Sequence, residues 1–92
     1  MKLIDLITEF DELDEDLIIF QEDTDNFNSD VILSYREDGD GGIKEENEKK
    51  YYYLIEVFFA KEFVEDWVLS LDTPPTQGAI AMRLYEYAIN DA

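Results

Sequence analysis

The chain has 92 residues, of which 24 are acidic and seven basic, so its net charge is −17 at pH 7. A field of that sign repels nucleic acid and anionic membranes, so we expect no direct binding to either. The absence of cysteine and histidine excludes disulfides and thiolate chemistry and removes the commonest general base and transition-metal ligand.

Hydrophobic residues make up 46% of the chain, which is enough for one core, and we expect a single folded domain over residues 1–92. No apolar run approaches the ~20 residues of a membrane-spanning helix. The amphipathic start "MKLIDLITEF" is interrupted by acids and is unlike a signal peptide. The cytoplasm is therefore the expected location.

The first half of the chain predicts one helix and two strands. Leu3, Ile4, Leu6, Ile7 and Phe10 recur at helical spacing and indicate a helix of about ten residues. "DELDED" then breaks the pattern as an acidic turn, and "LIIF", 17–20, is typical of a short strand. A loop rich in Asp and Asn separates it from a second strand, "VILSY", 31–35.

The second half predicts one strand and two helices. "KYYYLIEVFF", 50–59, is apolar on both alternating faces and indicates a central strand or an interface strand. Its tyrosines belong either to a binding platform or to the core, and a homodimer through this aromatic strand is one expectation. A helix carrying Trp67 on its core face follows, and Thr73 or Thr76 caps a third helix whose apolar stripe is Ile80, Leu84, Tyr87 and Ala88.

The predicted order is α-β-β-β-α-α, an α+β fold in which a three-stranded antiparallel sheet packs against helices. Residues 36–49 form the acidic connection between the second and third strands.

That connection, "YREDGDGGIKEENE" with its flanking tyrosine, has the interior of an EF-hand loop but not its ends. Asp38, Asp40, Gly41 and Ile43 fit positions 3, 5, 6 and 8 of the motif. Position 1 is Arg36, a cation, and position 12 is Asn47, which cannot give the bidentate carboxylate. We therefore predict no metal site and interpret the segment as a glycine-rich acidic loop between strands.

Catalysis is not indicated. A glycosidase-like pair of acids needs one carboxyl in an apolar pocket, and nearly all acids here lie in polar, mutually acidic runs. Glu56 is the exception, alone within an apolar strand, and we favour an outward position or a pairing with Lys61, Arg36 or Arg83. No phosphate-binding glycine loop precedes a helix, so we predict neither enzyme activity nor a cofactor.

Charge distribution is the strongest functional signal, because residues 1–48 hold 17 acids and three bases. We expect these carboxylates to bind a basic protein partner: a toxin, a nuclease or a nucleic-acid-binding protein. The first predicted patch is Asp11, Glu12, Asp14, Glu15, Asp16, Glu22, Asp23, Asp25 and Asp30. The second is Asp38, Asp40, Glu45, Glu46 and Glu48.

Three segments, "LIDLITEFDELDEDLIIF", "YYYLIEVFFAKEFVEDW" and "YEYAINDA", resemble those of a group of small, acidic, uncharacterised bacterial proteins. The resemblance implies a compact bacterial domain. The group has no assigned activity, so it implies no catalytic residue.

Two hypotheses follow. The first is a non-enzymatic acidic interaction protein, acting as an immunity-type inhibitor of a toxin or nuclease or as a DNA mimic. The second is an acidic structural or oligomeric domain whose charge serves solubility.

Overall fold

The computed structural model describes residues 1–35 and 42–91. Its elements are α1 (Leu3–Ile7), a 3-10 turn (Phe10–Glu12), β1 (Leu17–Gln21), β2 (Val31–Tyr35), β3 (Ile43–Glu46), β4 (Lys49–Glu56), α2 (Val57–Leu69) and α3 (Gln77–Asp91). The expected α+β class, with helices and an antiparallel sheet, is confirmed. The sheet has four strands in the order β2-β1-β4-β3, so the prediction of three strands was wrong.

The unpredicted strand is β3, which lies inside the segment interpreted as a connection. Little in "IKEE" is typical of a strand, and pairing with β4 supplies the missing stabilisation. The register places Glu45 opposite Lys50 and Glu46 opposite Lys49, and opposite charges facing each other favour an antiparallel pair. Asn47 and Glu48 form the turn with φ values of 53° and 67°, the positive values that a type I′ hairpin turn requires.

The aromatic strand ends earlier than predicted, because β4 stops at Glu56 and α2 starts at the next residue. Val57, Ala60 and Val64 are the buried residues of α2, and their spacing of three and four residues is helical. The period-two pattern that ran on to Phe59 in the sequence is therefore coincidental beyond Glu56. The strand passes directly into the helix without a loop.

A β-bulge also overturns the predicted division of this strand into two faces. Ile19 lies opposite Ile55, but Phe20 lies opposite Tyr53, so one extra residue, Leu54, is accommodated in β4. Leu54 and Ile55 consequently both join the core under the helices. Tyr51, which strict alternation along the strand would place on the same face as Ile55, is instead buried with Ile18 and Phe20.

The sheet carries apolar clusters on both faces, because successive β1 residues point in opposite directions. The larger cluster joins Ile19 to residues of all three helices, among them Leu3, Val57 and Leu84. The smaller one contains Ile18, Phe20 and Tyr51. Burial on both sides of β1 explains the uninterrupted apolar run "LIIF".

The three helices lie near their predicted positions, but the first is shorter than predicted. The first spans only Leu3–Ile7 before the 3-10 turn. Thr76 caps α3, since its Oγ1 accepts a hydrogen bond of 3.1 Å from the Ala79 N–H. The predicted stripe of α3 packs in or against the core, whereas Trp67 is only half-buried on α2. No helix in the described ranges is long and apolar enough to cross a membrane.

Two side chains of the core form hydrogen bonds to backbone carbonyls of the loop between β1 and β2. Gln21 is fully buried, and its Nε2 donates to the carbonyl of Asn26 at 3.1 Å. Tyr85 on α3 donates its hydroxyl to the carbonyl of Thr24. These bonds fix the acidic segment 22–30 against the core.

Glu48 gives a test of the hairpin, because a side chain at positive φ is strained by about 1–2 kcal/mol. We expect Glu48→Gly to raise the free energy of unfolding by about 0.5–1 kcal/mol relative to Glu48→Gln. Both variants remove the same charge, so chemical denaturation of the pair isolates the backbone effect. If Glu48→Gly is no more stable than Glu48→Gln, the type I′ turn is refuted.

Candidate functional site

The strand topology places the acidic residues of the first predicted patch at opposite ends of the sheet. β1 runs antiparallel to both neighbours, so its start lies beside Tyr35 at the end of β2 and near Glu56 at the end of β4. Asp14, Glu15 and Asp16 are at this end, whereas Glu22 and Asp23 follow β1 at the other. Asp16 and Glu22, which flank β1 at its two ends, are therefore separated by about 20 Å at ~3.3 Å per residue. The first predicted patch is thus two surfaces.

At the first end, acids and aromatic rings surround a cavity of about 460 Å³, which we call the acidic cleft. Its walls are Glu15, Asp16, Ile18, Tyr35, Glu56 and Phe58. Tyr35 and Phe58 are 54% and 47% exposed, so their rings are accessible from solvent. No ion pair within the described residues engages Glu15 or Asp16.

Asp14 builds the turn that carries these two carboxylates. Its side chain accepts a hydrogen bond of 2.9 Å from the Asp16 N–H and another of 2.9 Å from the Tyr35 hydroxyl. The Asp16 N–H, and then the Tyr35 hydroxyl, hold the pKa of Asp14 below its usual value. Asp14 is therefore a structural residue that directs its neighbours Glu15 and Asp16 outward.

The cleft is suited to a cationic side chain. Carboxylates accept charge-assisted hydrogen bonds from a cation, and exposed aromatic rings such as those of Tyr35 and Phe58 are the partners of cation–π contacts. Within the described ranges, no group of three or more acidic side chains is arranged to hold a metal ion. The arrangement favours binding of a lysine or arginine.

At the other end of the sheet, several acids form ion pairs or hydrogen bonds within the molecule. Asp30 lies 2.9 Å from Lys2 Nζ and 3.7 Å from the N-terminal amine, and the Lys2 hydrogen bond and charge lower its pKa. Glu22 lies 3.4 Å from Lys49. Asp23 accepts a hydrogen bond from the Asp25 N–H at 3.0 Å. These acids stabilise the loop and the N-terminus.

The remaining predicted acids are more dispersed. Asp11 and Glu12 are exposed in the 3-10 turn, and Asp25 is exposed in the β1–β2 loop. Glu45, Glu46 and Glu48 are exposed on the β3–β4 hairpin. Asp38 and Asp40 lie outside the described residues.

Several basic side chains are already committed within the molecule. Besides Lys2 and Lys49, Lys61 donates to the carbonyl of Leu13, and Arg83 lies 5.6 Å from the centre of the Phe63 ring.

The molecule is 43 Å long with 17 net negative charges, one per about 2.5 Å of its long axis. Duplex DNA carries one per ~1.7 Å.

Sequence reasoning selected Glu15 and Asp16 but missed Ile18, Tyr35 and Phe58. Glu56 was noted only as an isolated acid in an apolar strand. The missing signal is register: only the pairing of Leu17 with Tyr35 and of Ile18 with Glu56 brings these segments together.

Comparisons with protein-family models, curated proteins and solved structures find no match.

Removing the Tyr35 hydroxyl tests the geometry at the cleft. In Tyr35→Phe we expect the pKa of Asp14 to rise toward its ordinary value of 3.8, as followed by NMR titration of its carboxyl carbon. It should stay below that value, because the Asp16 N–H still binds. Tyr52→Phe is the control and should leave it unchanged.

The same bond makes stability depend on pH. A carboxyl with a lowered folded-state pKa favours the folded state above its unfolded pKa, and this contribution is lost as pH falls through the folded value. Tyr35→Phe should therefore lose less stability on acidification than the wild type. An unchanged Asp14 pKa would show that the Tyr35 bond does not form.

Proposed function

We propose that this protein is a non-enzymatic acidic interaction protein that binds a basic surface of a partner protein. In this role it acts as an immunity-type inhibitor of a toxin or nuclease, or as a nucleic-acid mimic. The observation that carries the proposal is the acidic cleft, in which Glu15 and Asp16 face solvent beside exposed rings.

A partner's arginine suits this cleft better than its lysine. The planar guanidinium stacks on aromatic faces and pairs with carboxylates in a forked geometry, whereas an ammonium is a more strongly hydrated point charge. Phe58 and Tyr35 supply the faces, and Glu15 and Asp16 the carboxylates. Specificity in this proposal comes from the cleft and not from charge alone.

The acids outside the cleft have a different task, which is to accelerate encounter. A field approaching the charge density of duplex DNA attracts surfaces that bind nucleic acid. Steered association of this kind reaches ~10⁸–10⁹ M⁻¹s⁻¹ at low salt. Dispersed acids such as Asp11, Asp25 and Glu45 suffice for steering, because it depends on the summed field.

The alternative, an oligomeric domain with protective charge, is favoured by exposed rings on β4. Tyr52 and Tyr53 are partly exposed, whereas Tyr51 is buried. β4 lies between β1 and β3, so a homodimer through this strand would have to pack face to face. Such a dimer would have to overcome the repulsion between two chains of charge −17.

Charge removal at the cleft tests the proposal. Immobilised wild-type protein should capture a basic protein from the source lysate at low salt, and salt should release it. The double variant Glu15→Gln/Asp16→Asn preserves the Asp14 turn and should weaken binding of the captured protein about tenfold or more.

The control removes two charges elsewhere. Asp72→Asn/Glu86→Gln alters exposed acids outside the cleft and should change affinity less than about threefold, through steering alone. The proposal fails if no basic protein is captured, if capture is insensitive to salt, or if both double variants weaken binding equally.

A further inference from the structure

A second cavity lies on the helical side of the molecule. It adjoins the acidic cleft, because its wall residue Phe59 packs edge-to-face against the cleft residue Phe58 with ring centres 5.4 Å apart. It encloses about 520 Å³ and is lined by Phe59, Glu62, Phe63, Asp66, Trp67 and Tyr87. We call it the aromatic groove. Phe59, Phe63 and Trp67 repeat every four residues along α2 and so share one face of that helix, and Tyr87 adds a ring from α3.

The groove is partly preformed. Phe63 and Tyr87 stack with ring centres 4.1 Å apart and an interplanar angle of 13°, and Arg83 covers Phe63 at 5.6 Å. Phe59 is 48% exposed, and Trp67 is half-buried. Exposed aromatic residues gathered into one concavity are typical of an interaction site.

Charge decides which occupant the groove fits. Glu62 and Asp66 line it among the rings, and both are exposed. A second copy of the chain would bring another −17 charges to this surface, which repulsion disfavours. A segment with apolar anchors flanked by cations would bury the rings and place its charges against Glu62 and Asp66.

We propose that the aromatic groove binds a cationic amphipathic helix of a partner protein. From Phe59 to Trp67 the groove follows α2 over eight residues, about 12 Å at 1.5 Å per residue. Two turns of a second helix match that length, with apolar anchors at i and i+4 or i and i+7. The groove shares no lining residue with the acidic cleft, and its proposed role does not depend on the function proposed for the cleft.

Trp67 provides a direct readout, because it is the only tryptophan of the chain. The probe is a synthetic helical peptide with leucine on one face and lysine on the other. The control peptide has the same lysines with serine in place of leucine. We expect the leucine peptide to shift the Trp67 emission saturably to the blue and the serine peptide to leave it unshifted, because only the former fills the groove.

Truncation of Phe59 tests the location. Phe59→Ala should weaken the leucine peptide about tenfold or more, as expected for an aromatic anchor site. Ile89→Ala is the matched control, since Ile89 is 46% exposed on α3 and does not line the groove. Equal effects of the two variants, or a serine peptide that binds as well as the leucine peptide, would overturn the proposal.

A charge pair tests the choice of a cationic occupant. Glu62→Gln/Asp66→Asn should lower the peptide affinity at least about fivefold more than Glu45→Gln/Glu46→Gln, which removes the same charge from the hairpin. Equal losses would mean binding to the general field and would refute the groove. A dimer in sedimentation that Phe59→Ala dissociates would assign the groove to a second copy and would also overturn it.

The proposal for the acidic cleft and the proposal for the aromatic groove can be refuted independently. Glu15→Gln/Asp16→Asn should leave the Trp67 response to the leucine peptide within about threefold, because Glu15 and Asp16 do not line the groove. Failure of the wild-type protein to capture any basic protein, with an intact Trp67 response to the leucine peptide, would reject only the proposed function. Salt-sensitive capture that depends on Glu15 and Asp16, without a Trp67 response to the leucine peptide, would reject only the groove.

Discussion

Mutual repulsion between carboxylates is the constraint on which this structure depends. A net charge of −17 on 92 residues opposes compaction, and hydrophobic burial must offset it. Both faces of β1 contribute, with Ile19 under the helices and Ile18 and Phe20 on the other side. The apolar strand at the centre of the sheet thus permits the acidic surface around it.

The acids themselves divide into two classes by what they contact. Asp14, Asp23 and Asp30 accept hydrogen bonds or ion pairs that fix turns and the N-terminus. The Val31 N–H also donates to the Met1 carbonyl at 2.7 Å, so the chain start is held along β2. Glu15 and Asp16 make no such ion pairs within the described residues, and they are the acids proposed to bind a partner. Asp14, a structural acid, therefore positions the acids of the proposed site.

The sequence predicted those elements whose signal is local. β1 and β2 occur where apolar, β-branched runs indicated strands. Of the two threonines predicted as alternative caps of α3, Thr73 and Thr76, it is Thr76 that caps the helix. β3 was missed because "IKEE" has little strand propensity of its own and is stabilised by pairing with β4, in a register that places Glu45 and Glu46 opposite Lys50 and Lys49. The end of β4 was misplaced because "EVFF" satisfies a period of two and a helical period equally.

Only some residues of the acidic cleft could be predicted, because the sequence shows local patterns but not how the strands pair. Acid-rich runs reveal Glu15 and Asp16, but their neighbours in the cleft come from strand pairing. Leu17 opposite Tyr35 and Ile18 opposite Glu56 fix that geometry. The bulge at Leu54 redistributes the tyrosines of β4 between the two faces, which no alternation pattern shows.

Whether repulsion between carboxylates destabilises the folded protein is tested most directly by its melting temperature as a function of NaCl concentration. Screening shortens the reach of charges to about 8–10 Å at physiological ionic strength, so melting temperature should rise from low to moderate salt. A variant carrying Asp11→Lys, Asp72→Lys and Glu86→Lys, all at exposed positions, should melt higher at low salt and respond less to added salt. A wild-type melting temperature that falls or stays flat with salt would contradict the account.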